Sequence, residues 1–322
     1  MRAVQITTHD GPDALAVTDV PEPPRAHDQV LIDVRASGVS FPEVLQSRGK
    51  YQINPDLPFV PGSEVAGVVL EAPADAAVSI GDRVAGFTML GGFAERAVAP
   101  QDMVFALPDN LSFDQGAAVP LNYLTAHFGL MVRGAMTRGE TVLVHGAAGG
   151  VGTAAIQMAQ AYGAGHVIAV TSTPEKAEVA RAAGAGEVVG AHDFKDRVKE
   201  LTNGRGVDIV VDPVGGDRFT DSLRSLAEFG RLLVIGFTGG EIPTVKVNRL
   251  LLNNVTVIGV GWGASVLDKP GYVAGEWAEI LPHLASGSLT PPVGTTLPLE
   301  RASDALHLID GRAATGKVVL NP

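Results

Sequence analysis

The stretch Val142-Leu143-Val144-His145-Gly146-Ala147-Ala148-Gly149-Gly150-Val151-Gly152 passes from apolar residues into a segment of almost nothing but Gly and Ala. The next residues, TAAIQMAQAYG, have the small and apolar spacing of a helix. A buried strand, a glycine turn and a helix start together form the place where a dinucleotide pyrophosphate meets free amides and the positive end of a helix dipole. The absence of side chains lets phosphate approach the backbone. The spacing departs from G-x-G-x-x-G, because Ala147 stands where the first glycine would be. Glycine turns also serve purely conformational ends. Here the flanking strand, helix and next strand all fit a cofactor, and Ala148, Gly149, Gly150, Val151 and Gly152 are the expected phosphate contacts.

Outward from that loop the rhythm is regular. From about residue 120, apolar strands (TVLVHG, HVIAVT, VDIVVDPVG, RLLVIGF, VTVIGVG) alternate with helical stretches (AAIQMAQAY, PEKAEVARAAG, RFTDSLRSLAEFG). This predicts an α/β domain with a doubly wound parallel sheet under crossover helices. Before it, QVLIDVRASGV, SEVAGVVLEA, GDRVAGFTML and AERAVAP read as short strands punctuated by Gly, Pro and Asp, so residues 1–118 form a β-rich domain. The last stretch, PLERASDALHLIDGRAATGKVVLNP, reads as an amphipathic helix followed by a strand. A length of 322 residues suits two domains.

Composition narrows the function. The 46% hydrophobic and 18% charged shares describe an ordinary folded chain. A formal charge of -11, from 35 acidic and 24 basic residues, argues against nucleic acid or an anionic membrane as the main partner. There is no cysteine, which removes disulfides, thiol nucleophiles and thiolate metal sites. The N-terminus carries no signal-like pattern, and no apolar run nears the ~20 residues a membrane helix requires, so a cytoplasmic protein is expected.

About 20 residues past the glycines, a site for NAD places an acid on the ribose 2′-hydroxyl. This chain has Thr171-Ser172-Thr173-Pro174-Glu175-Lys176 there. Hydroxyls and a cation suit a 2′-phosphate, so Ser172, Thr173 and Lys176 point to NADPH. The same residues also read as a helix start, with Ser172 capping and Glu175 closing a capping box, or with Thr173 capping and Pro174 in the first helical position. Lys176 has no evident capping role.

The chain resembles the zinc-independent quinone oxidoreductases, the ζ-crystallin-like family of the medium-chain dehydrogenase/reductase superfamily. The likeness runs through GVSFPEVLQSRGKYQINPDLPFVPGSEVAGVV, GDRVAGF, PLNYLTAHFGL, VLVHGAAGGVGTAAIQMAQAYGA, VDPVGGD, GRLLVIGFTGGEIP and ATGKVVL. It implies a GroES-like catalytic domain (1–118), a Rossmann NADPH-binding domain (119–264) and a return segment (265–322) that completes the first, with the active site in the cleft between domains. It also implies a homodimer and hydride transfer from NADPH to a quinone or other α,β-unsaturated carbonyl. Zinc-dependent relatives carry Gly-His-Glu at the catalytic metal; the matching residues here are Gly62-Ser63-Glu64, so no metal is expected, Glu64 reads as a buried structural carboxylate and Ser63 as packing.

Without a metal, hydrogen-bond donors must face the charge that develops on the carbonyl oxygen. Tyr51 matches a tyrosine of the family's active site that related enoyl-thioester reductases use as a proton donor, and Ser40 stands where the family commonly has Asn. Both are the expected catalytic residues. Glu43 replaces a common Asp, Leu45 replaces a second tyrosine of some quinone reductases, and Ala191, beside His192, replaces the tyrosine near the 2′-phosphate. Thr125 resembles the threonine bordering the nicotinamide, and Gly236 and Phe237 pass beside the same ring. Asp212 lies at the ligand edge or fixes the turn after it, while His127 and His145 read as core residues. Two alternatives stand: an enoyl-thioester reductase, for which Arg48 and Lys50 offer cations that are equally well read as solvated, and a non-catalytic, crystallin-like NADPH-binding protein.

Overall fold

The N-terminal part of the chain folds as antiparallel strands: β1 (Arg2–Ile6), β2 (Leu15–Asp19), β3 (Gln29–Val39), β4 (Glu64–Glu71), β5 (Arg83–Phe87), β6 (Arg96–Pro100) and β7 (Val104–Ala106). Helix α1 (Phe41–Ser47) lies between β3 and β4, and α2 (Phe113–Gly116) follows β7. The chain continues through α3 (Pro120–His127), β8 (Thr141–Val144), α4 (Gly150–Ala161), β9 (His166–Thr171), α5 (Pro174–Ala182) and β10 (Glu187–Gly190). Next come α6 (Phe194–Leu201), β11 (Val207–Asp212), α7 (Phe219–Ser225), β12 (Leu226–Val234), α8 (Asn248–Asn253) and β13 (Thr256–Gly259). It closes with α9 (Trp262–Val266), α10 (Tyr272–Ser286), β14 (Val293–Pro298), α11 (Ala302–Asp310) and β15 (Lys317–Asn321). This computed structural model describes residues 1–267 and 269–322. They form two compact units, Met1–Leu121 with Asp268–Pro322, and Asn122–Leu267.

In the first unit the strand order is β14-β15-β3-β4-β5-β7, with β6 also paired to β3. The last strand of the chain is thus an inner strand of the sheet, with Val318 opposite Val39 and Val319 opposite Gly38. Val30, Ile32, Val65, Val69, Val84 and Val104 fill one core, and Val39, Val44, Phe93, Leu306, Val318 and Leu320 another. Each such side chain contributes about 1.5–3 kcal/mol on leaving water. Helix α10, absent from the sequence expectations, buries Val273, Trp277, Ile280 and Leu284 at helical spacing, with Trp277 stacked on Phe105 at 4.7 Å.

The second unit is a six-stranded, all-parallel sheet in the order β10-β9-β8-β11-β12-β13. The chain runs outward from β8 to β10 and returns to start again at β11, so the loops after β8 and β11 part at a topological switch point. Val142, Leu143 and Val144 of β8 are fully buried, as a strand covered on both faces requires. One expectation is corrected: RFTDSLRSLAEFG is not all helix. Helix α7 stops at Ser225, and Leu226 opens β12, pairing with Val207 before the register shifts to Arg231 opposite Ile209. Pairing with β11 overrides the helical pattern of LAEFG. Among the described residues no helix is long and apolar enough to cross a membrane.

Candidate active site

Gly146 leaves β8 at φ +57°, a left-handed conformation that glycine adopts without strain. Gly149 then caps α4 with no side-chain bond, and the first intrahelical bond runs from Thr153 N to Gly149 O at 2.9 Å. The amides of Gly150, Val151 and Gly152 precede that bond and meet no side-chain cap. The three glycines have different reasons. A Cβ on Gly152 would lie 2.2 Å from the Gly146 carbonyl, and one on Gly150 would lie 2.3 Å from Asn122 Nδ2. On Gly149 the nearest atom would be the Gly146 oxygen at 3.4 Å, so protein packing alone does not require glycine there. An open, uncapped helix start at the switch point fits a phosphate group.

The neighbouring strand ends support the same edge. After β9, Thr173 rather than Ser172 is the cap of α5: its hydroxyl accepts from Lys176 N at 3.3 Å, with Pro174 first in the helix. The Ser172–Glu175 capping box does not form, and the Lys176 amide takes part in the cap after all. Ser172 and Thr173 are exposed and Lys176 is half-buried. Glu175 shares this helix start, its carboxyl held below the usual range by its own amide and by the Thr173 hydroxyl. After β11, Asp212 Oδ1 accepts from Val214 N and Gly215 N, both at 2.9 Å, so Asp212 fixes the turn. After β12, Ile235 N bonds Asp212 O at 3.0 Å and Gly239 N bonds Val214 O at 2.8 Å, which sets Gly236 and Phe237 beside that turn. Thr125 is buried on α3, Ala191 is buried, and His192 is exposed. His127 and His145 are core residues as expected, each 1% exposed.

The first unit holds a buried polar cluster. Ser40 caps α1, and its amide donates to Glu43 Oε2 at 2.9 Å. Glu43 Oε1 accepts from the Ser63 hydroxyl at 2.6 Å and the Ser63 amide at 3.1 Å. Ser63 is therefore a hydrogen-bonding partner rather than simple packing. Burial pushes the Glu43 carboxyl up, against the pull of Ser63 and the Lys317 charge. Fully buried Glu64 accepts from Leu121 N at 2.8 Å through Oε2, and its Oε1 forms an ion pair with Lys317, itself 2% exposed. Lys317 Nζ also donates to Ser40 Oγ at 2.6 Å.

Half-buried Tyr51 follows α1 in a loop held by a bond from Gln46 Nε2 to Ile53 O at 3.3 Å. Burial, and then the Glu43 charge, raise its phenol above the ordinary range. Arg48 makes a bidentate pair with Asp310 at 2.8 and 2.6 Å, while Lys50 is exposed.

Comparison with known proteins converges on one family. Residues 26–109 match the alcohol dehydrogenase GroES-like domain model, and residues 150–286 match the zinc-binding dehydrogenase model. The rat quinone oxidoreductase-like protein 2 is 38% identical over 95% of this chain and 89% of its own length. Human quinone oxidoreductase is 36% identical over 99% of this chain and 97% of its own. A mycobacterial protein solved in complex with NADPH superposes with a TM-score of 0.92 at 36% identity, with both chains fully covered. This chain belongs to the quinone oxidoreductase family of the medium-chain dehydrogenase/reductase superfamily. It is an oxidoreductase.

For this quinone oxidoreductase family member, the sequence-predicted cofactor residues Ala148–Gly152, Ser172, Thr173, Lys176, Gly236 and Phe237 all stand at the carboxyl ends of the parallel strands β8, β9 and β12. Ser40 and Tyr51 flank α1 in the other unit. Sequence reasoning missed Lys317. The available signal was a lysine opening the apolar strand KVVLN, where a solvated charge is out of place.

Proposed function

We propose that this oxidoreductase is an NADPH-dependent, zinc-free reductase of quinones and other α,β-unsaturated carbonyls. The observation that carries the cofactor reading is the uncapped, glycine-lined start of α4 at the switch point. The amides of Gly150, Val151 and Gly152 receive the pyrophosphate, and Gly149 and Ala148 leave it room. No carboxylate ends β9, so Ser172, Thr173 and Lys176 receive the 2′-phosphate, Lys176 offsetting the charge of Glu175. Thr125, Gly236 and Phe237 border the nicotinamide. NADPH, when bound, supplies the hydride.

The chain's own residues deal with the negative charge left on the carbonyl oxygen. Tyr51, kept protonated, donates to that oxygen, and the Ser40 hydroxyl is a second donor. Absence of cysteine, and serine at position 63 where zinc-dependent relatives carry histidine, support chemistry without zinc. The bidentate Arg48–Asp310 pair commits to the fold one of the two cations that favoured an enoyl-thioester reductase, so a quinone or simple enone is the preferred substrate. The test is NADPH oxidation with 1,2-naphthoquinone and crotonyl-CoA in parallel. Quinone turnover alone is expected; thioester turnover alone makes this an enoyl reductase; NADPH binding with neither points to the non-catalytic, crystallin-like alternative.

The enzyme works in the cytoplasm as a homodimer. In support, β13 is the outer edge of the parallel sheet, and Leu251 and Leu252 on α8, the helix that precedes it in the chain, are 77% and 74% exposed. Sedimentation of wild-type and Leu251→Glu/Leu252→Glu protein checks this: a dimer and a weakened dimer are expected, and a wild-type monomer overturns it.

A further inference from the structure

The buried pair of Lys317 and Glu64 calls for a reason, because two charges taken from water seldom add net stability over apolar residues of similar shape. The pair is packed tightly against β3: a Cβ on Gly38 would lie 2.3 Å from the Ala117 carbonyl and 2.7 Å from both Lys317 Cε and Glu64 Oε1. Register does the rest. Val318 lies opposite Val39, so Lys317 at the start of β15 comes beside Ser40 at the end of β3.

Around Ser40 almost every hydrogen-bonding group is engaged. Its amide donates to Glu43, and one lone pair of its hydroxyl accepts from Lys317 at 2.6 Å. A hydroxyl has a single proton to give. It is donated to Glu64 Oε1 at 3.5 Å, at the outer limit of a hydrogen bond, and that oxygen already receives the Lys317 ammonium. Ser40 is 7% exposed, so the cluster meets its surroundings there, while Lys317, Glu43 and Glu64 lie beneath.

We propose that Lys317 is a positioning residue that occupies a lone pair of Ser40 and thereby aims the Ser40 proton at the oxygen of the substrate carbonyl. This rests on the reading of Ser40 as facing the substrate. As hydride reaches carbon, the oxygen gains negative charge; Ser40 stabilises it by a hydrogen bond and keeps its proton. The ammonium behind the hydroxyl strengthens that bond by polarising it.

The test compares Ser40→Ala, the charge-neutral pair Lys317→Met/Glu64→Gln, and the triple variant. The pair is replaced together because removing one partner leaves a buried, uncompensated charge, which is strongly destabilising. Thermal melts check folding. Ser40→Ala and the pair variant should each lose about 10- to 100-fold in kcat with 1,2-naphthoquinone, with KM for NADPH unchanged. The triple variant should lose no more than either. Losses that multiply in the triple variant overturn the proposal. A second readout needs no turnover: 4-nitrophenol bound to the NADP⁺ complex reports its own ionisation by its colour. The wild-type enzyme should lower its apparent pKa, and both Ser40→Ala and the pair variant should shrink that shift by a similar amount, the remainder belonging to Tyr51. No shift in the wild type, or a shift of undiminished size in the pair variant, overturns the proposal. If the wild type reduces no quinone yet the shift shrinks in both variants, the inference about Lys317 stands and the substrate reading fails.

Discussion

Tyr51 illustrates how environment sets what a side chain does. Burial and the Glu43 carboxylate both disfavour a phenolate, so the group stays protonated and presents a donor rather than a base. Tyr51→Phe should therefore lower enone turnover about 100-fold, the lower end for a group that handles the proton; a loss below about 3-fold would reduce Tyr51 to an aromatic plug. Wild-type kcat should show no Tyr51 ionisation between about pH 6 and about pH 9, since both causes move it upward. At the other end of the cofactor, Lys176→Ala should raise KM for NADPH about 10-fold and leave KM for NADH nearly unchanged. Equal effects on both coenzymes would remove the 2′-phosphate role. Tyr51 and Ser40 were singled out through the family resemblance, and Lys176 through the residues that follow β9. The Glu43–Ser63 and Lys317–Ser40 bonds were not, because their partners lie 20 and 277 residues apart in the chain.

Elements show the same division. The strand–loop–helix from Thr141 to Ala161 reads directly from sequence, since burial on both faces and small residues at the turn are local properties. Its glycines separate folding from binding. Gly152→Ala drives a methyl into the Gly146 carbonyl and should cost about 1–3 kcal/mol in a denaturant melt, a typical overpacking penalty. Gly149 has φ -85°, which any residue adopts, and its Cβ would have room. Gly149→Ala should leave the apo melt unchanged and raise KM for NADPH; a destabilised apoprotein with unaltered KM would show that the glycine serves the turn alone. By contrast, the end of α7 was misread, because LAEFG becomes strand only through its pairing with β11, an interaction no window of sequence contains.

Across the whole molecule, stability carries a signature of the core. His145 lies between sheet and helix, its Nε2 2.8 Å from Ser222 Oγ and its ring edge-on to Phe194 at 4.8 Å. Burial lowers its pKa from 6.5 to about 4, despite the opposing pull of Asp212. Between those values the unfolded chain binds a proton that the folded one refuses, so the stabilisation is full above about pH 6.5 and declines as pH falls towards about 4. Unfolding free energy should drop by about 2 kcal/mol between about pH 7.5 and about pH 5, and His145→Gln should remove most of that slope. A slope unchanged in the variant assigns the effect to other groups. The sequence by itself determined the α/β class, the glycine turn between β8 and α4, the lack of thiol chemistry and the family likeness, because periodicity, glycine placement and composition act over a few residues. Only the tertiary structure decided that β15 lies beside β3, that Asp212 fixes a turn, that Arg48 is engaged with Asp310 and that two buried carboxylates and a lysine surround Ser40, because register and burial bring together residues far apart in the chain.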